Sequence, residues 1–257
     1  MTRALRRPGR TRGERELAVG RFARLDRGRA HRVGVPEVIL AEGKSVDHLF
    51  GILRALARAG AGALVSRPTD LQRRALAGPN GRGLRLTVLA GGRLWRLPGP
   101  LGTSYRRGTV AILAAGTSDV PLAEEARAVL RALGISVVPA YDVGVAGLHR
   151  LQRALVRTER RSPELYLVFA GREGALPTVV AGLVRAPVVG VPTSIGYGRG
   201  GGGEAALLAM LQSCAPIAVV NIDAAVPAAL FAAQRFVERP GGRRGRAAGR
   251  RAARTGP

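Results

Sequence analysis

The chain has 257 residues, of which 46% are hydrophobic and 4% aromatic, and its formal net charge is +24. That length and apolar content allow a buried core in one or two domains, but no apolar run reaches the roughly 20 residues of a membrane span. The arginine-rich N-terminus lacks the apolar block of a secretory signal. The single cysteine, Cys214, excludes an internal disulfide, so we expect a reducing compartment, the cytoplasm.

The positive charge is concentrated at the two ends of the sequence. Residues 1–32 contain 11 Arg against 3 acidic residues, and residues 238–257 contain 7 Arg against 1, so the ends carry +14 of the +24. Such runs are usually disordered and solvated. We therefore predict basic disordered segments over residues 1–24 and 239–257 and no specific nucleic-acid binding. An arginine-rich nucleic-acid binder is the alternative from another class.

Residues 25–106 have the pattern of a small α+β domain. Ser45 can cap a helix whose apolar residues keep helical spacing as far as Gly60. A strand is predicted at 63–66, a short helix at 70–77, and a hairpin at 84–97 that turns at two glycines. Pro and Gly residues after position 97 mark the end of this domain.

From residue 107 the pattern changes to strands that alternate with helices. Five buried strands are predicted at 109–115, 135–140, 165–169, 187–190 and 217–221. A helix over 224–238 closes the domain, which runs from 107 to 238. The fold class is therefore α/β: a doubly wound, flavodoxin-like parallel sheet with a smaller N-terminal α+β domain.

Small and polar residues collect where the predicted strands end, which is the edge at which a parallel sheet binds ligands. After the first strand, backbone N–H groups and hydroxyls at the helix start can bind phosphate or carboxylate, although the same residues can serve as an ordinary cap. After the third strand, Glu173 is a candidate general base or a surface ion-pair partner. The candidate substrate-binding residues are Gly116, Thr117, Ser118, Asp119, Asp142, Gly171, Arg172, Thr193, Ser194 and Lys44.

Several other features have less specific interpretations. The glycine run at 200–203 lacks the Rossmann spacing, and no Walker lysine is present, so a mobile loop over a site is favoured there. Cys214 is either an inert buried thiol or a nucleophile. Lys44 is either solvated or a phosphate contact. The three histidines show no metal-ligand spacing, so no metal site is predicted.

Six sequence blocks resemble, in order, the LarB family of pyridinium-3,5-biscarboxylic acid mononucleotide synthases. They lie at residues 32–39, 115–119, 141–150, 170–177, 191–198 and 213–216, within a resemblance that spans about residues 25–235. The C-terminal domain of that family is similar to phosphoribosylaminoimidazole carboxylase (PurE) of purine synthesis. The catalytic histidine of the purine enzyme precedes a Leu-Pro pair, and this chain has Ala175 there. Purine carboxylation is therefore the weaker alternative, and Cys214 becomes the stronger nucleophile candidate.

The resemblance implies carboxylation of the pyridinium ring of nicotinic acid adenine dinucleotide through an adduct on Cys214. Carbon dioxide or bicarbonate would be the co-substrate, and hydrolysis of the phosphoanhydride would release AMP. Glu173 would activate the water or remove the ring proton. The product would serve the nickel-pincer cofactor of lactate racemase or another enzyme. No covalently bound cofactor is implied, and a requirement for Mg²⁺ is left open.

The order of strands and helices also predicts an assembly. Cys214 precedes a predicted strand. The residues that follow strands are Thr117, Ser118, Asp119, Glu173, Thr193 and Ser194, so they lie at the opposite edge of one subunit from Cys214 unless the loop at 212–216 reaches far. We therefore expect a neighbouring subunit to supply Cys214. The resemblance implies a homo-octamer with shared sites, as in the related purine carboxylases.

Overall fold

The computed structural model describes residues 16–238. The predicted tail at 239–257, and residues 1–15 of the predicted basic arm, lie outside the described residues. Within the described part, no helix is long and apolar enough to cross a membrane. We call residues 16–106 the N-terminal domain and residues 107–238 the C-terminal domain.

The N-terminal domain contains six strands and four helices. Its strands are β1 Glu16–Val19, β2 Ala23–Asp26, β3 Val38–Leu40, β4 Ala63–Ser66, β5 Thr87–Leu89 and β6 Leu94–Leu97. Its helices are α1 Arg29–Val33, α2 Val46–Arg58, α3 Asp70–Ala77 and α4 Pro79–Gly83. Strands β1 and β2 form an antiparallel hairpin, so the prediction of a disordered arm is wrong for residues 16–24. The other four strands form one sheet in the order β3-β4-β6-β5.

Local sequence explains the helix starts in this domain. Ser45 caps α2, because its hydroxyl accepts the backbone N–H of His48 at 3.1 Å. Thr69 and Gln72 form a capping box at the start of α3. Both helices therefore begin where the cap residues predict.

The C-terminal domain alternates strands and helices, as predicted. Its strands are β7 Thr109–Ala114, β8 Ser136–Ala140, β9 Leu165–Ala170, β10 Val188–Pro192 and β11 Ile217–Val219. Its helices are α5 Val120–Ala132, α6 Leu148–Glu159, α7 Leu176–Ala181, α8 Glu204–Leu211 and α9 Ala225–Gln234. All strand pairs are parallel, in the order β11-β10-β9-β7-β8.

This strand order is that of a flavodoxin-like, doubly wound sheet. Helices α5 and α9 pack on one face and helices α6, α7 and α8 on the other. The chain leaves β7 towards β8 on one side and returns to β9 on the other, so the switch point lies between β7 and β9. Ligands of such sheets bind outside the carboxyl ends of the strands at this point.

The N-terminal sheet packs against α5 with one of its two faces. Leu64 and Leu94 belong to the core of the C-terminal domain, whereas their neighbours Val65 and Trp95 belong to the N-terminal core. This division follows from the alternation of side chains along a strand. The two domains therefore share an apolar interface.

Two arginines of the N-terminal domain add polar contacts across that interface. Arg93 Nε lies 3.1 Å from Oε2 of Glu125, a residue of α5 that is only 1% exposed. Burial raises the pKa of Glu125, and the nearby Arg93 opposes that shift. Arg67 donates from Nη2 to the backbone oxygen of Asp223 at 2.5 Å. The second contact brings the N-terminal domain to the carboxyl edge of the sheet.

Candidate active site

Hydrogen bonds between loops hold the carboxyl edge of the sheet together. The backbone N–H of Thr193, after β10, donates to Ala170 at the end of β9 at 3.1 Å. The N–H of Arg172, after β9, donates to the carbonyl of Ile195 at the same distance. The loops that follow neighbouring strands therefore form one connected surface.

Asp119 is the buried anchor of this surface. Its Oδ1 accepts the hydroxyl of Thr193 at 2.6 Å, and its Oδ2 accepts the backbone N–H of Gly116 at 2.8 Å. Asp119 is 4% exposed and Thr193 is fully buried. Both carboxylate oxygens are used within the protein, and neither caps α5. Thr117 and Ser118, in contrast, are exposed beside them and can reach a ligand.

The segment after β9, residues 171–175, which we call the elbow, carries the predicted base Glu173. Arg172 has a φ of 51°, and its guanidinium carbon lies 5.1 Å from the ring centroid of Tyr197. The side chains of Arg172 and Glu173 are 66% and 62% exposed, with Nε and Oε2 3.8 Å apart. At that exposure and distance the pair is a weak ion pair. Glu173 is therefore accessible to a substrate.

Gly171 allows the close approach of the two loops. A Cβ atom at this position would overlap the carbonyl oxygen of Ile195 and lie 2.7 Å from Oγ1 of Thr193. A larger residue would push the Thr193 loop away from the elbow. The role of Gly171 in the structure is thus to bring the backbone of the elbow against its neighbour.

Asp142 follows β8 at the same edge. Its backbone has a φ of 55°, and its Oδ2 accepts Nη1 of Arg150 at 2.5 Å. The preceding residue, Tyr141, donates its hydroxyl to Oε1 of Glu124. Burial, followed by that carboxylate, raises the pKa of Tyr141, so the phenol stays protonated at neutral pH.

The structure adds Asp223, a residue that the sequence interpretation did not select. Its Oδ1 accepts the backbone N–H of Ser194 at 2.8 Å. Its backbone oxygen accepts a hydrogen bond from the guanidinium of Arg67 in the N-terminal domain. Asp223 follows the last strand, as Asp119 and Asp142 follow theirs. That repeated position was the signal that could have identified it.

Two predicted site residues, Lys44 and Cys214, make no direct contact with the loops that follow the strands at the carboxyl edge, which we call the strand-end loops. Lys44 lies just before α2 in the N-terminal domain, and its ammonium donates to the carbonyl of Leu40 at 2.8 Å. Its role towards a substrate stays a prediction. Cys214 is exposed and lies between α8 and β11, at the amino edge of the sheet. Its neighbour Ser213 accepts the hydroxyl of Thr178 at 2.9 Å.

The length of the strands sets the separation between Cys214 and Glu173. Val188, the first residue of β10, pairs with Ile217, three positions after Cys214. Pro192, at the other end of β10, pairs with Ala170 next to the elbow. A strand of this length spans about 15 Å, so Cys214 and Glu173 lie beyond opposite ends of β10.

The carboxyl edge combines groups suited to an anionic substrate. It offers backbone N–H groups, the hydroxyls of Thr117 and Ser118, the exposed Arg172 guanidinium and the Glu173 carboxylate. Within residues 16–238, no three His, Cys, Asp or Glu side chains cluster as a metal site would require. The fold is a doubly wound α/β sheet, and these loops form the candidate site at its switch point.

Comparisons with known proteins identify the family. A model described as AIR carboxylase matches residues 109–239, and one described as LarB/PurE-like N-terminal domain matches residues 17–78. An uncharacterized protein of Methanocaldococcus jannaschii is 39% identical over 212 residues, covering 81% of this chain and 82% of that protein. The chain belongs to the LarB/PurE-like family and carries an AIR carboxylase domain.

Relatives of the C-terminal domain indicate the class of reaction that the enzyme catalyses. The N5-carboxyaminoimidazole ribonucleotide mutase of Pyrococcus horikoshii is 33% identical over 129 residues, which are 48% of this chain and 69% of the relative. The enzyme of that name from Mycobacterium tuberculosis is 35% identical over 132 residues, which are 49% of this chain and 72% of the relative. This chain is accordingly an enzyme of the carboxylase or mutase type.

Proposed function

We propose that this enzyme carboxylates the pyridinium ring of nicotinic acid adenine dinucleotide and hydrolyses the phosphoanhydride, giving pyridinium-3,5-biscarboxylic acid mononucleotide and AMP. The observation that carries the proposal is an exposed thiol, Cys214, on a carboxylase fold whose elbow has Ala175 where the purine enzymes use histidine. The accompanying LarB/PurE-like N-terminal domain supports it. The enzyme would act in the cytoplasm, in the synthesis of a nickel-pincer cofactor.

Cys214 supplies the nucleophile that makes the ring reactive. A pyridinium ring is too electron-poor to attack carbon dioxide. Addition of the thiolate to the ring carbon para to nitrogen forms a C–S bond and leaves a neutral dihydropyridine with an enamine-like meta carbon. That carbon attacks carbon dioxide, then loses its proton to a base, and expulsion of the thiolate restores the aromatic ring.

Glu173 is the group available for proton transfer at the carboxyl edge. Its exposed carboxylate can accept the ring proton, or a proton from the water that attacks the phosphoanhydride. Attack of that water on phosphorus breaks the P–O–P bridge and releases AMP. The hydroxyls of Thr117 and Ser118 and the guanidinium of Arg172 would bind the substrate phosphates or carboxylate.

A second subunit completes this mechanism, because Cys214 and Glu173 occupy opposite edges of the sheet. Exposed apolar side chains on the helix that precedes Cys214 support an interface there: Leu208 and Leu211 of α8 are 49% and 61% exposed. Burying such a surface against another copy is favourable. We propose a homo-octamer in which a neighbouring subunit supplies Cys214 to each site.

Incubation with nicotinic acid adenine dinucleotide and bicarbonate tests the proposed reaction. Mass spectrometry should detect the carboxylated mononucleotide and AMP, with and without added Mg²⁺. Cys214→Ser should abolish ring carboxylation while leaving the melting temperature unchanged, because a serine hydroxyl is hardly ionised near neutral pH. Near-normal carboxylation by Cys214→Ser would refute the covalent mechanism.

Glu173→Gln tests the proton-transfer role. The variant keeps the size and exposure of the side chain but cannot accept a proton, so AMP release should fall by roughly a hundredfold or more. Initial rates of AMP formation measure this effect. Unchanged AMP release with normal product would remove Glu173 from the mechanism.

Mixed oligomers test the shared site. Cys214→Ala and Glu173→Gln subunits, each inactive alone, should regain activity after they are dissociated and reassembled together. Some interfaces would then pair an intact Cys214 with an intact Glu173. No recovery in verified mixed oligomers, or a fully active monomer, would show that one subunit contains the whole site.

The relatives' activity supplies a second candidate function. Several relatives of the C-terminal domain carry the name N5-carboxyaminoimidazole ribonucleotide mutase, which favours an aminoimidazole ribonucleotide as substrate. Ala175 argues against it, because the elbow lacks the imidazole that the resemblance assigns to that reaction. Incubation with N5-carboxyaminoimidazole ribonucleotide, in parallel with the dinucleotide, separates the two functions.

A further inference from the structure

A pocket of about 550 Å³ lies between the two domains. Strand β6 contributes Arg96, and helix α5 contributes Glu124, Arg127 and Arg131. The volume is within the roughly 300–1,000 Å³ of small-molecule sites. None of the lining residues belongs to the strand-end loops of the candidate active site, so this interdomain pocket is a separate feature.

Strand alternation brings Arg96 into the pocket. Leu94 packs towards the C-terminal domain and Trp95 into the N-terminal core, so Arg96 lies on the same side as Leu94 and faces α5. In the sheet Arg96 stands between Leu64 and Thr87, its partners on β4 and β5. A charged residue in this central position of an interface requires a polar partner.

Two guanidinium groups have buried N–H donors that the protein does not satisfy. The Nε atoms of Arg96 and Arg127 are buried and have no hydrogen-bond partner among the described residues. The Nη1 of Arg127 donates to both oxygens of Glu124, at 2.7 and 2.9 Å, but its Nε does not take part. Buried donors of this kind need an acceptor, because leaving them unbonded is unfavourable.

The charge of the lining indicates what that acceptor is. Three arginines and one glutamate line the pocket, which gives a formal charge of +2. Glu124 already accepts Arg127 and the hydroxyl of Tyr141. A phosphate monoester carries about −1.5 to −2 near neutral pH and matches this charge. Arginine also binds phosphate oxygens in a bidentate manner.

Apart from Thr87 and Gly99, the remaining wall of the pocket is apolar. Leu89, Ala90 and Pro98 line it from the N-terminal domain, and Ala128 and Ala132 line it from α5. A bare inorganic ion would leave this wall without contacts, whereas an aromatic base or sugar would pack against it. The pocket therefore fits a ligand with one phosphate end and one apolar or aromatic end.

We propose that the interdomain pocket binds a phosphate monoester of nucleotide size, with its phosphate on Arg96, Arg127 and Arg131. Because the lining residues come from both domains, the bound ligand holds the N-terminal sheet against α5. Helix α5 begins directly after Asp119, the anchor of the strand-end loops. The pocket and the anchor of the candidate active site are therefore connected by one helix.

Calorimetric titration of the full-length protein with AMP tests this binding, with adenosine and ribose 5-phosphate as matched probes. AMP should bind, and adenosine, which lacks the phosphate, should bind at least tenfold more weakly. Arg96→Gln and Arg131→Gln should each weaken AMP binding by roughly tenfold or more. Arg131→Gln keeps the test valid if Arg96→Gln fails to fold. Arg153→Gln, on an exposed position of α6, should bind AMP like the parent protein.

Amide hydrogen exchange distinguishes this pocket from the candidate active site. AMP at the interdomain pocket should slow exchange in residues 87–99 and 124–132. Protection confined to residues 116–119 and 171–173 would overturn the proposal, as would equal binding of AMP and adenosine or unchanged binding by both arginine variants. None of these outcomes depends on whether the enzyme carboxylates a pyridinium ring.

Discussion

The buried hydrogen bond between Thr193 and Asp119 should contribute measurably to the stability of the protein. Thr193→Val removes the hydroxyl while keeping a side chain of similar shape, so little cavity is created. Oδ1 of Asp119 would then be buried without its 2.6 Å partner. A hydrogen bond to a carboxylate contributes about 1.5–3 kcal/mol, and Thr193 is fully buried, so solvent does not reduce this value.

The expected effect is large enough to measure by thermal unfolding. For a chain of this length, 1 kcal/mol changes the melting temperature by roughly 2–4 °C, so Thr193→Val should lower it by roughly 3–12 °C. Thr117→Val is the matched control, because its hydroxyl is exposed, and it should change stability by less than about 0.5 kcal/mol. Measurements should be compared at one protein concentration, since assembly also stabilises.

A double-mutant cycle separates the bond from other effects of the substitution. Asp119→Asn and Thr193→Val should not be additive, and their coupling should be on the order of 1 kcal/mol. If Thr193→Val and Thr117→Val were equally stable, the buried hydrogen bond would contribute nothing. The loops after β7 and β10 would then be held together by other contacts.

Three further substitutions should change the stability of the protein in a direction that the structure predicts. Gly171→Ala should destabilise the protein by about 1–3 kcal/mol through overlap with the neighbouring loop, whereas Gly201→Ala, with open space around it, should be neutral in the same melting assay. Burial raises the pKa of Glu125, so its contribution to stability is present at acid pH and is lost as the pH rises through the folded-state pKa. Glu125→Gln should therefore flatten the decrease in unfolding free energy as the pH rises above the ordinary pKa of a glutamate. Bonding to Arg106 lowers the pKa of Glu164, so Glu164→Gln should reduce stability by up to about 1 kcal/mol at pH 7. Urea titrations should show this difference vanishing as the pH falls through the lowered pKa of Glu164.

Much of the fold was predictable because its elements are specified locally. Buried strands of a parallel sheet are continuously apolar, and the cap Ser45 marks the start of helix α2. Helix α3 Asp70–Ala77 begins and ends where predicted. The hairpin β1–β2 was missed because its short strands contain charged residues and have little of the apolar pattern. Strand β3 and helices α1 and α4 were not predicted either, because such short elements show too little of a periodic apolar pattern.

The sequence by itself also determined which candidate residues share an edge. Parallel strands end at the same side of their sheet, so residues that follow strands meet there, and Cys214, which precedes one, does not. Only the tertiary structure decided which of these residues touch. The hydrogen bond from Thr193 to Asp119 joins positions 74 residues apart, and neither the apolar periodicity nor the secondary-structure propensity of the sequence predicts such a contact.

The tertiary structure alone also decided how the two domains meet. Alternation along β6 predicts that Trp95 and Arg96 point to opposite sides, but only packing determines that the side with Arg96 faces α5. The interdomain pocket and the contact of Arg67 with Asp223 follow from that packing. Local patterns specify an element and its two faces, whereas the neighbour that covers each face is selected by long-range burial of apolar surface.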